Sequence, residues 1–366
     1  MKYICILSLL TLLLVGCSNR DHIDDTSQNV VQEENLISVD YIVNNINELQ
    51  DTINTALPGS TVAITELESV VTEKIIISKP ITLIGGSNTN VTSYSDTLFE
   101  ITPGTVDVTF SNMSVKLESG KFISAHDVKG VTVQYCNIEG NIFNDDKSYI
   151  AIHITDSDDI EIKYTNVSKN YGGFYLNNSN NTRLLYNTLN NVTFGNIAVS
   201  GFDIIIKGNT INKPGVEPSI RPDPNGDAIT LGLVNNVEIE GNTVTNGNCY
   251  GIYAYTNDSK NITIKNNSFT GGNTSAIHFV NIEDVIIESN KFENNIGAGV
   301  SFFPVRNGQV KYNTFIDDEF RIYSLSSNID LIGNKFTLPI NEAVLHSVDF
   351  VDGVNENNIY NYVNMY

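Results

Sequence analysis

Short segments of alternating apolar and polar residues recur along most of the chain, and each is followed by an Asn and a second short apolar segment. VEIEGNTVTNG (237–247) and ITIKNNSFTGG (262–272) are two examples. Strict alternation is typical of a strand with one buried face. The Asn residues recur every 21 to 33 positions, at Asn137, Asn166, Asn187, Asn209, Asn242, Asn267, Asn290, Asn313 and Asn334, with an earlier copy at Asn112.

A third short strand lies between successive units, as in GGFYLNN (172–178), GDAITLG (226–232) and GIYAYTN (251–257). Each period, most often 21 to 25 residues, therefore holds three strands and three turns. Such a period is typical of a parallel β-helix, whereas a propeller blade needs about 40 residues. The pattern predicts an all-β parallel β-helix of about ten coils, in which the Asn residues form a structural ladder and tolerate left-handed backbone.

The segment INELQDTINTALPGSTVAI (46–64) predicts an amphipathic helix, a Pro-Gly turn and a first strand. A solenoid needs its apolar end covered, so this helix is the expected N-terminal cap. We expect one β-helix domain over residues 44–366, with the irregular tail 340–366 as its C-terminal cap.

The N-terminus combines a basic start with an apolar run (KYICILSLLTLLLV, 2–15) that is too short to span a bilayer as a stable helix. The run ends at LVGC (14–17), which resembles the bacterial lipobox. The resemblance implies a signal peptide at 1–16, a lipid on Cys17 and a polar tether at 17–43. We therefore expect a lipid-anchored, extracytoplasmic protein of the cell envelope, on the outer membrane or the cell surface.

The formal net charge is -21 and the isoelectric point is about 4.5. This charge repels nucleic-acid phosphates and anionic lipid headgroups. Nucleic acid is therefore excluded as a partner, and we expect a monomer that contacts the membrane only through its lipid.

Residues at equal positions of successive coils form ladders with a spacing of about 4.8 Å. In the third strand of each coil one such ladder points outward, and we call it the aromatic face: His153, Tyr175, Ala198, Thr230, Tyr253, His278 and Ser301. Tyr255 lies two positions after Tyr253 on the same side. Aromatic rings beside small residues make a trough on which sugar rings can lie, although Tyr is also simply favoured in strands.

The coil register and the N-terminal helix together resemble the right-handed parallel β-helix superfamily of pectate lyases, alginate lyases, mannuronan epimerases and their repeat-only relatives, over roughly residues 44–340. The resemblance implies a single-stranded right-handed β-helix that binds polysaccharide on the face of its third strands. The residues expected to contact a sugar chain are His153, Tyr175, Thr230, Tyr250 and Tyr255.

One connection is longer than the others, since 33 residues separate Asn209 from Asn242. The extra residues precede GDAITLG, so they are expected to overhang one edge of the aromatic face. Long loops on a rigid scaffold commonly carry function, and the prolines of this loop reduce the entropy lost on ordering. The charged residues of this connection are Glu217, Arg221, Asp223 and, at the strand entry, Asp227.

A uronate polysaccharide is cleaved by β-elimination when its carboxylate is neutralised, a base removes the C5 proton and an acid protonates the leaving oxygen. His278 is the candidate base because it titrates near neutrality. Tyr253 is the candidate acid, or a base if a nearby cation lowers its pKa. The sequence thus predicts a lyase acting on a uronate-containing polysaccharide.

Neutralisation of the uronate carboxylate has two candidates in the long connection. The guanidinium of Arg221 matches a carboxylate in geometry. Calcium is the alternative, and oxygen ligands of the kind it prefers are supplied by Glu217, Asp223 and Asp227. Calcium is the one candidate cofactor.

Three alternatives stay open. A non-catalytic polysaccharide-binding or surface-structural solenoid would use the same aromatic ladder without chemistry. A glycoside hydrolase needs an acid and a base carboxylate, and no paired Asp follows NGD (225–227) one rung on. YGI (250–252) agrees with the epimerase motif Tyr-Gly-(Ile/Phe)-Asp-Pro-His-Asp, but YAYT (253–256) replaces its last four residues.

Overall fold

The computed structural model describes residues 38–65, 68–86, 89–141, 150–214, 226–318, 320–339, 345–350 and 353–363. Within them the chain forms two sheets in which each coil pairs in parallel with the coil before it and the coil after it. The predicted all-β parallel β-helix is confirmed. The 13 described strands of the smaller sheet mark somewhat more coils than the about ten expected.

The larger sheet contains the first and third strands of the coils, and in several coils one bent strand joins the two. Its strands are Tyr41–Val43, Ser60–Ile64, Ile75–Ile77, Ile81–Gly85, Thr97–Ile101, Val106–Ser111, Lys121–His126, Lys129–Gln134, Ile150–Thr155, Asp158–Lys163, Gly172–Asn177, Thr182–Leu185, Ile197–Lys207, Ile229–Glu240, Ile252–Tyr255, Lys260–Lys265, Ile277–Glu288, Ala298–Lys311, Phe320–Ser327, Ile329–Ile332, Leu345–Phe350 and Asn355–Glu356.

The smaller sheet contains the short strands that follow the recurring Asn. Its strands are Glu68–Val71, Asn90–Ser93, Ser114–Leu117, Asn137–Glu139, Asn166–Ser168, Thr188–Asn190, Thr210–Asn212, Thr243–Thr245, Ser268–Thr270, Lys291–Glu293, Thr314–Ile316, Lys335–Pro339 and Ile359–Val363.

A short 3-10 turn (Ile46–Glu48) leads into the α-helix Leu49–Thr55. Leu49 and Ile53 are buried, as expected for a helix that covers the apolar end of the solenoid. The sheet starts before this helix, because Tyr41–Val43 pairs with Ser60–Ile64 ahead of the expected domain start at residue 44. No helix in the described part of the chain is both long and apolar enough to cross a membrane.

The interior is filled by ladders of identical side chains. Phe269, Phe292, Phe315 and Phe336 stack with ring centroids 4.7 to 5.4 Å apart and are almost fully buried. Burial of such rings contributes most to the stability of a fold, and offset stacking adds to it. The ladders fix the register because a shift by one residue would turn every apolar side chain outward.

The Asn ladder is present and buried. Asn209 shows its pattern: its backbone N–H and its Nδ2 both donate to Oδ1 of Asn242, at 2.8 and 2.9 Å, and Nδ2 also donates to the Leu184 carbonyl. The same pattern recurs through Asn334, whose acceptor is Asn358. The side chains thus satisfy backbone groups that the turn leaves unpaired inside the solenoid.

The predicted ladder was wrong at its N-terminal end. Asn137 and Asn166 pair in register with Thr188, one position past the ladder, and are exposed. Cys136 and Thr165 hold the ladder position in these coils. The backbone N–H of Cys136 donates to the hydroxyl of Thr165, and the backbone N–H of Thr165 donates to Oδ1 of Asn187.

The left-handed backbone does not lie at the buried ladder residues, where the sequence analysis expected it. It lies at the position before the ladder residue, and its members have φ between 50° and 66°: Asn112, Tyr135, Tyr164, Tyr186, Gly208, Gly241, Asn266, Ser289, Tyr312, Gly333 and Asn357.

The tail contains a further coil. Leu345–Phe350 and Ile359–Val363 pair in register with Phe320–Ser327 and Lys335–Pro339. The tail reads as irregular in sequence because a segment without clear alternation separates Lys335–Pro339 from the next strand.

Candidate functional site

The aromatic face has the register expected from the sequence. His153 pairs with Tyr175, Thr230 with Tyr253, and Tyr253 with His278. The preceding residues all point inward and have no exposed surface: Ile152, Phe174, Ile197, Ile229, Ile252, Ile277 and Val300. Tyr253 and His278 are therefore neighbours on one outer surface although 25 residues separate them in sequence.

His278 lies inside a stack of aromatic rings. The Tyr250 ring lies parallel to it at a centroid distance of 4.5 Å, and the Phe303 ring contacts it at 5.1 Å. Tyr253 adds a third parallel ring at 5.8 Å. Burial among these rings lowers the pKa of His278 from its ordinary value, so the imidazole is neutral at neutral pH.

One hydrogen bond connects His278 to the next rung. Its Nδ1 lies 2.7 Å from the hydroxyl oxygen of Ser301, and that oxygen lies 3.2 Å from the Ile277 carbonyl oxygen, to which the hydroxyl can donate. The His278 tautomer that has its proton on Nδ1 donates to Ser301 and keeps on Nε2 the lone pair that a general base requires.

Tyr253 could act as a base only if a nearby cation lowered its pKa, and its surroundings have the opposite effect. Burial raises its pKa, and the carboxylate of Asp227 raises it further. The phenol therefore keeps its proton at neutral pH. Of the two roles that the sequence allowed for Tyr253, the described surroundings favour the acid.

Asp227 lies at the entry of the strand Ile229–Glu240, one rung from Tyr253. Its Oδ1 accepts from the backbone N–H of Tyr250 and its Oδ2 from the hydroxyl of Thr230, both at 3.2 Å, and the Cys249 thiol donates a third hydrogen bond. These bonds favour the carboxylate, but burial outweighs them and raises its pKa.

A cavity of about 500 Å³ opens beside Asp227 on the aromatic face. Its lining is mostly apolar and aromatic: Ile150, Tyr171, Gly172, Tyr175, Phe194, Gly195, Ala198, Asp227, Thr230, Cys249, Tyr250 and Tyr253. A concave, largely apolar cavity with a few polar groups is the usual form of a small-molecule site. The aromatic face thus has a pocket at the level of Ala198 and Thr230, in addition to the expected shallow trough.

Tyr171, Phe194 and Cys249 are among the lining residues that the sequence prediction missed. Tyr171 and Phe194 lie in turns before the third strand and stack on each other at 5.4 Å, and Cys249 lies in the turn before the strand Ile252–Tyr255. A signal existed, because an aromatic–Gly pair recurs at this turn: Tyr171-Gly172, Phe194-Gly195 and Tyr250-Gly251. At Gly251 the backbone packs so closely that a Cβ would lie 2.5 Å from the Ala276 carbonyl oxygen.

The other predicted sugar contacts lie at different distances from the cavity. Tyr175 lines it, and His153 packs against Tyr175 at 5.1 Å one rung further out. Tyr255 is 60% exposed and faces outward beside the cavity without lining it. Aromatic side chains on this surface therefore continue past the cavity in both directions along the solenoid. Beyond His278, Phe303 stacks on Tyr323.

The remaining candidates lie outside the described residues: Cys17, Glu217, Arg221 and Asp223. Of the proposed calcium ligands the described part of the chain contains Asp227 alone, and no group of three or more His, Cys, Asp or Glu with metal-site geometry occurs among the described residues.

Comparison with known proteins identifies the fold. Residues 197–362 match the family model for a right handed beta helix region. The A-module of mannuronan C-5 epimerase AlgE6 from Azotobacter vinelandii is 12% identical, with a TM-score of 0.58 over 85% of this chain and 92% of that module. The periplasmic alginate epimerase AlgG is 13% identical, with a TM-score of 0.55 over 90% and 84%.

A third similar structure is the catalytic unit of a thermostable GH87 α-1,3-glucanase from Streptomyces thermodiastaticus strain HF3-3. It is 15% identical, with a TM-score of 0.57 over 85% of this chain and 67% of that one. No curated protein sequence matches the chain. At these identities the likeness shows the fold, and together with the family match it confirms the expected right-handed parallel β-helix.

Proposed function

We propose that this right-handed parallel β-helix binds a polysaccharide along its aromatic face and cleaves it by β-elimination next to a uronate. The observation that carries the proposal is the cluster of Tyr253 and His278, a protonated phenol and a neutral imidazole on adjacent rungs beside a cavity. The similar structures named above include enzymes of alginate and of α-1,3-glucan, which supports a polysaccharide as the substrate.

In the proposed reaction Nε2 of His278 takes the C5 proton of the uronate. The electron pair of that C–H bond forms the C4–C5 double bond, and the C4–O glycosidic bond breaks. The leaving oxygen takes the phenolic proton of Tyr253. A later proton transfer to solvent from His278, and from solvent to Tyr253, restores the starting state.

Neutralisation of the uronate carboxylate is assigned to Arg221, or to calcium held by Glu217, Asp223 and Asp227. The residues of both candidates belong to the long connection between Asn209 and Asn242. Epimerisation would share the first proton transfer, but YAYT (253–256) lacks the Asp and His of the epimerase motif. Hydrolysis needs two carboxylates, and Asp227 is the single carboxylate among the described residues that line the cavity.

The direct test incubates the purified protein with uronate polysaccharides, with calcium and with a chelator. Elimination shortens the chains and adds ultraviolet absorbance from the new double bond. Hydrolysis would shorten the chains without that absorbance. Unchanged chain length and absorbance on every uronate polymer offered would remove the lyase proposal.

One observation favours a second candidate, a non-catalytic polysaccharide-binding protein. The described lining residues of the cavity include no Lys or Arg, so no described residue of the cavity wall could neutralise a uronate carboxylate. Retention of the protein on an immobilised polysaccharide without any cleavage would support this candidate.

The rate of elimination is expected to depend on pH through both residues. Because burial lowers the pKa of His278, the neutral base persists below its ordinary pKa of about 6.5. Because the pKa of Tyr253 is raised, the acid persists above about 10. The profile of kcat/KM against pH should therefore be flat between these limits, and loss of activity beginning above pH 6.5 on acidification would contradict the assignment of His278.

We also propose that a lipid on Cys17 holds the protein at the cell envelope, outside the cytoplasm. The motif LVGC (14–17) supports this. Cells fed a labelled fatty acid should transfer the label to the wild-type protein and not to Cys17→Ser. Equal labelling of the two would exclude the anchor.

A further inference from the structure

The carboxylate of Asp227 has an unusual position, because it lines a cavity whose walls are largely apolar and aromatic. Its hydrogen-bond donors are the Tyr250 N–H, the Thr230 hydroxyl and the Cys249 thiol, all of them neutral. None of the described residues that line the cavity is cationic. A positive charge stabilises a carboxylate that is partly buried among apolar groups. The open cavity has room for a ligand that carries such a charge.

The cavity walls are also suited to a cation. Tyr171 and Phe194 form one stacked pair, and Tyr250 and Tyr253 form another, with centroids 5.4 and 5.2 Å apart. The face of an aromatic ring attracts an ammonium group, and partial desolvation strengthens this attraction. A neutral acetamido group would gain neither this attraction nor an ion pair with Asp227.

We propose that this cavity is a subsite for an amino sugar with a free, protonated amine, whose ammonium group binds the Asp227 carboxylate between the two aromatic pairs. The inference rests on the proposal that the aromatic face binds polysaccharide, and it narrows the substrate to a polymer that carries both unacetylated amino sugars and uronates. In this proposal Asp227 binds the amine instead of calcium, so neutralisation of the uronate carboxylate is assigned to Arg221.

The spacing along the face agrees with two sugars in separate subsites. Asp227 belongs to the rung of Thr230, and His278 lies two rungs further along. Two rungs correspond to about 10 Å. Asp227 and His278 therefore contact different parts of a chain that runs along the solenoid axis, with Tyr253 on the rung between them.

The test measures binding of two matched probes by calorimetry at neutral pH: a tetramer of β-1,4-linked glucosamine and the same tetramer fully N-acetylated. The wild-type protein should bind the free amine at least about tenfold more tightly, because a charge-assisted hydrogen bond is lost on acetylation. The preference should disappear in Asp227→Asn, which keeps the size of the side chain.

Two variants control for the general attraction of a protein with net charge -21 for cations. Asp258→Asn removes one charge from an exposed turn outside the cavity, at a left-handed position that Asn tolerates, and should retain the preference. Ala198→Leu adds a side chain inside the cavity and should weaken binding of the amine probe while Asp227 stays intact.

Equal affinity for both probes, or equal loss of the preference in Asp227→Asn and Asp258→Asn, would overturn the subsite. Elimination activity is a separate readout. Uronate elimination without amine preference would refute the subsite and leave the proposed function standing. Amine preference without any elimination would refute the lyase activity and leave the subsite standing.

Discussion

His278→Ala is expected to lower kcat for elimination by about 10²- to 10⁴-fold, the usual contribution of a general base. The substitution removes the imidazole from the ring stack, and with it the lone pair of Nε2 that acts as the base in the proposed reaction. Binding should change less than kcat, because Tyr250 and Tyr253 keep their stacking contact. The measurement is the initial rate of absorbance increase at saturating polysaccharide, with KM determined separately.

The matched control for this prediction is His126→Ala. His126 is exposed at the end of the strand Lys121–His126, where it contacts Thr155 and Asp156 rather than the cavity. Wild-type kcat in His126→Ala together with the large loss in His278→Ala would support the assignment. A kcat within about threefold of wild type in folded His278→Ala would refute the role of His278 as the base, since such a loss is far below what a general base contributes.

Asn242→Ala is expected to destabilise the fold by about 3–5 kcal/mol, because it leaves several buried polar groups without partners. Oδ1 of Asn242 accepts two hydrogen bonds from Asn209, and its Nδ2 donates to the Ile206 carbonyl and to Asn267. Alanine can replace none of these. The free energy of unfolding from urea titration, followed by circular dichroism, measures the effect.

Asn273→Ala provides the comparison for the ladder. Asn273 is exposed and its side chain donates one hydrogen bond to Asn248, so its loss should cost less than about 0.5 kcal/mol. Similar destabilisation by the two substitutions would mean that the buried ladder contributes no more than a surface amide.

The fold followed from the sequence because a solenoid repeats its pattern in every coil. The alternation in segments such as VEIEGNTVTNG (237–247) defines the inward face, and stacking then carries each position to the same place in the next coil. The positions of residues within successive coils were enough to predict that Tyr253 lies beside His278. The ladder prediction failed at Asn112, Asn137 and Asn166, which each lie one position off the ladder. In the last two of these coils Cys136 and Thr165 hold the ladder position, since a different residue type can make part of the same hydrogen-bond pattern.

The cavity was less predictable, because half of its wall comes from turns rather than strands. The alignment of strands does not predict that Tyr171 and Phe194 line the same cavity as Ala198. The role of Cys249 depends on its hydrogen bond to Asp227. The pKa directions also require the three-dimensional surroundings. The sequence allowed Tyr253 to act as acid or base, and the choice rests on burial and on the neighbouring carboxylate.

The central claim is that polysaccharide is bound and cleaved on the aromatic face at Tyr253 and His278. A crystal structure of His278→Ala with a uronate oligosaccharide tests it most directly, because the slow variant holds the uncleaved chain. The account predicts sugar density along the ladder, with a uronate C5 at the place vacated by the imidazole and its glycosidic oxygen within hydrogen-bond distance of the Tyr253 hydroxyl. Density on another face of the solenoid, or an empty aromatic face at saturating oligosaccharide, would contradict it.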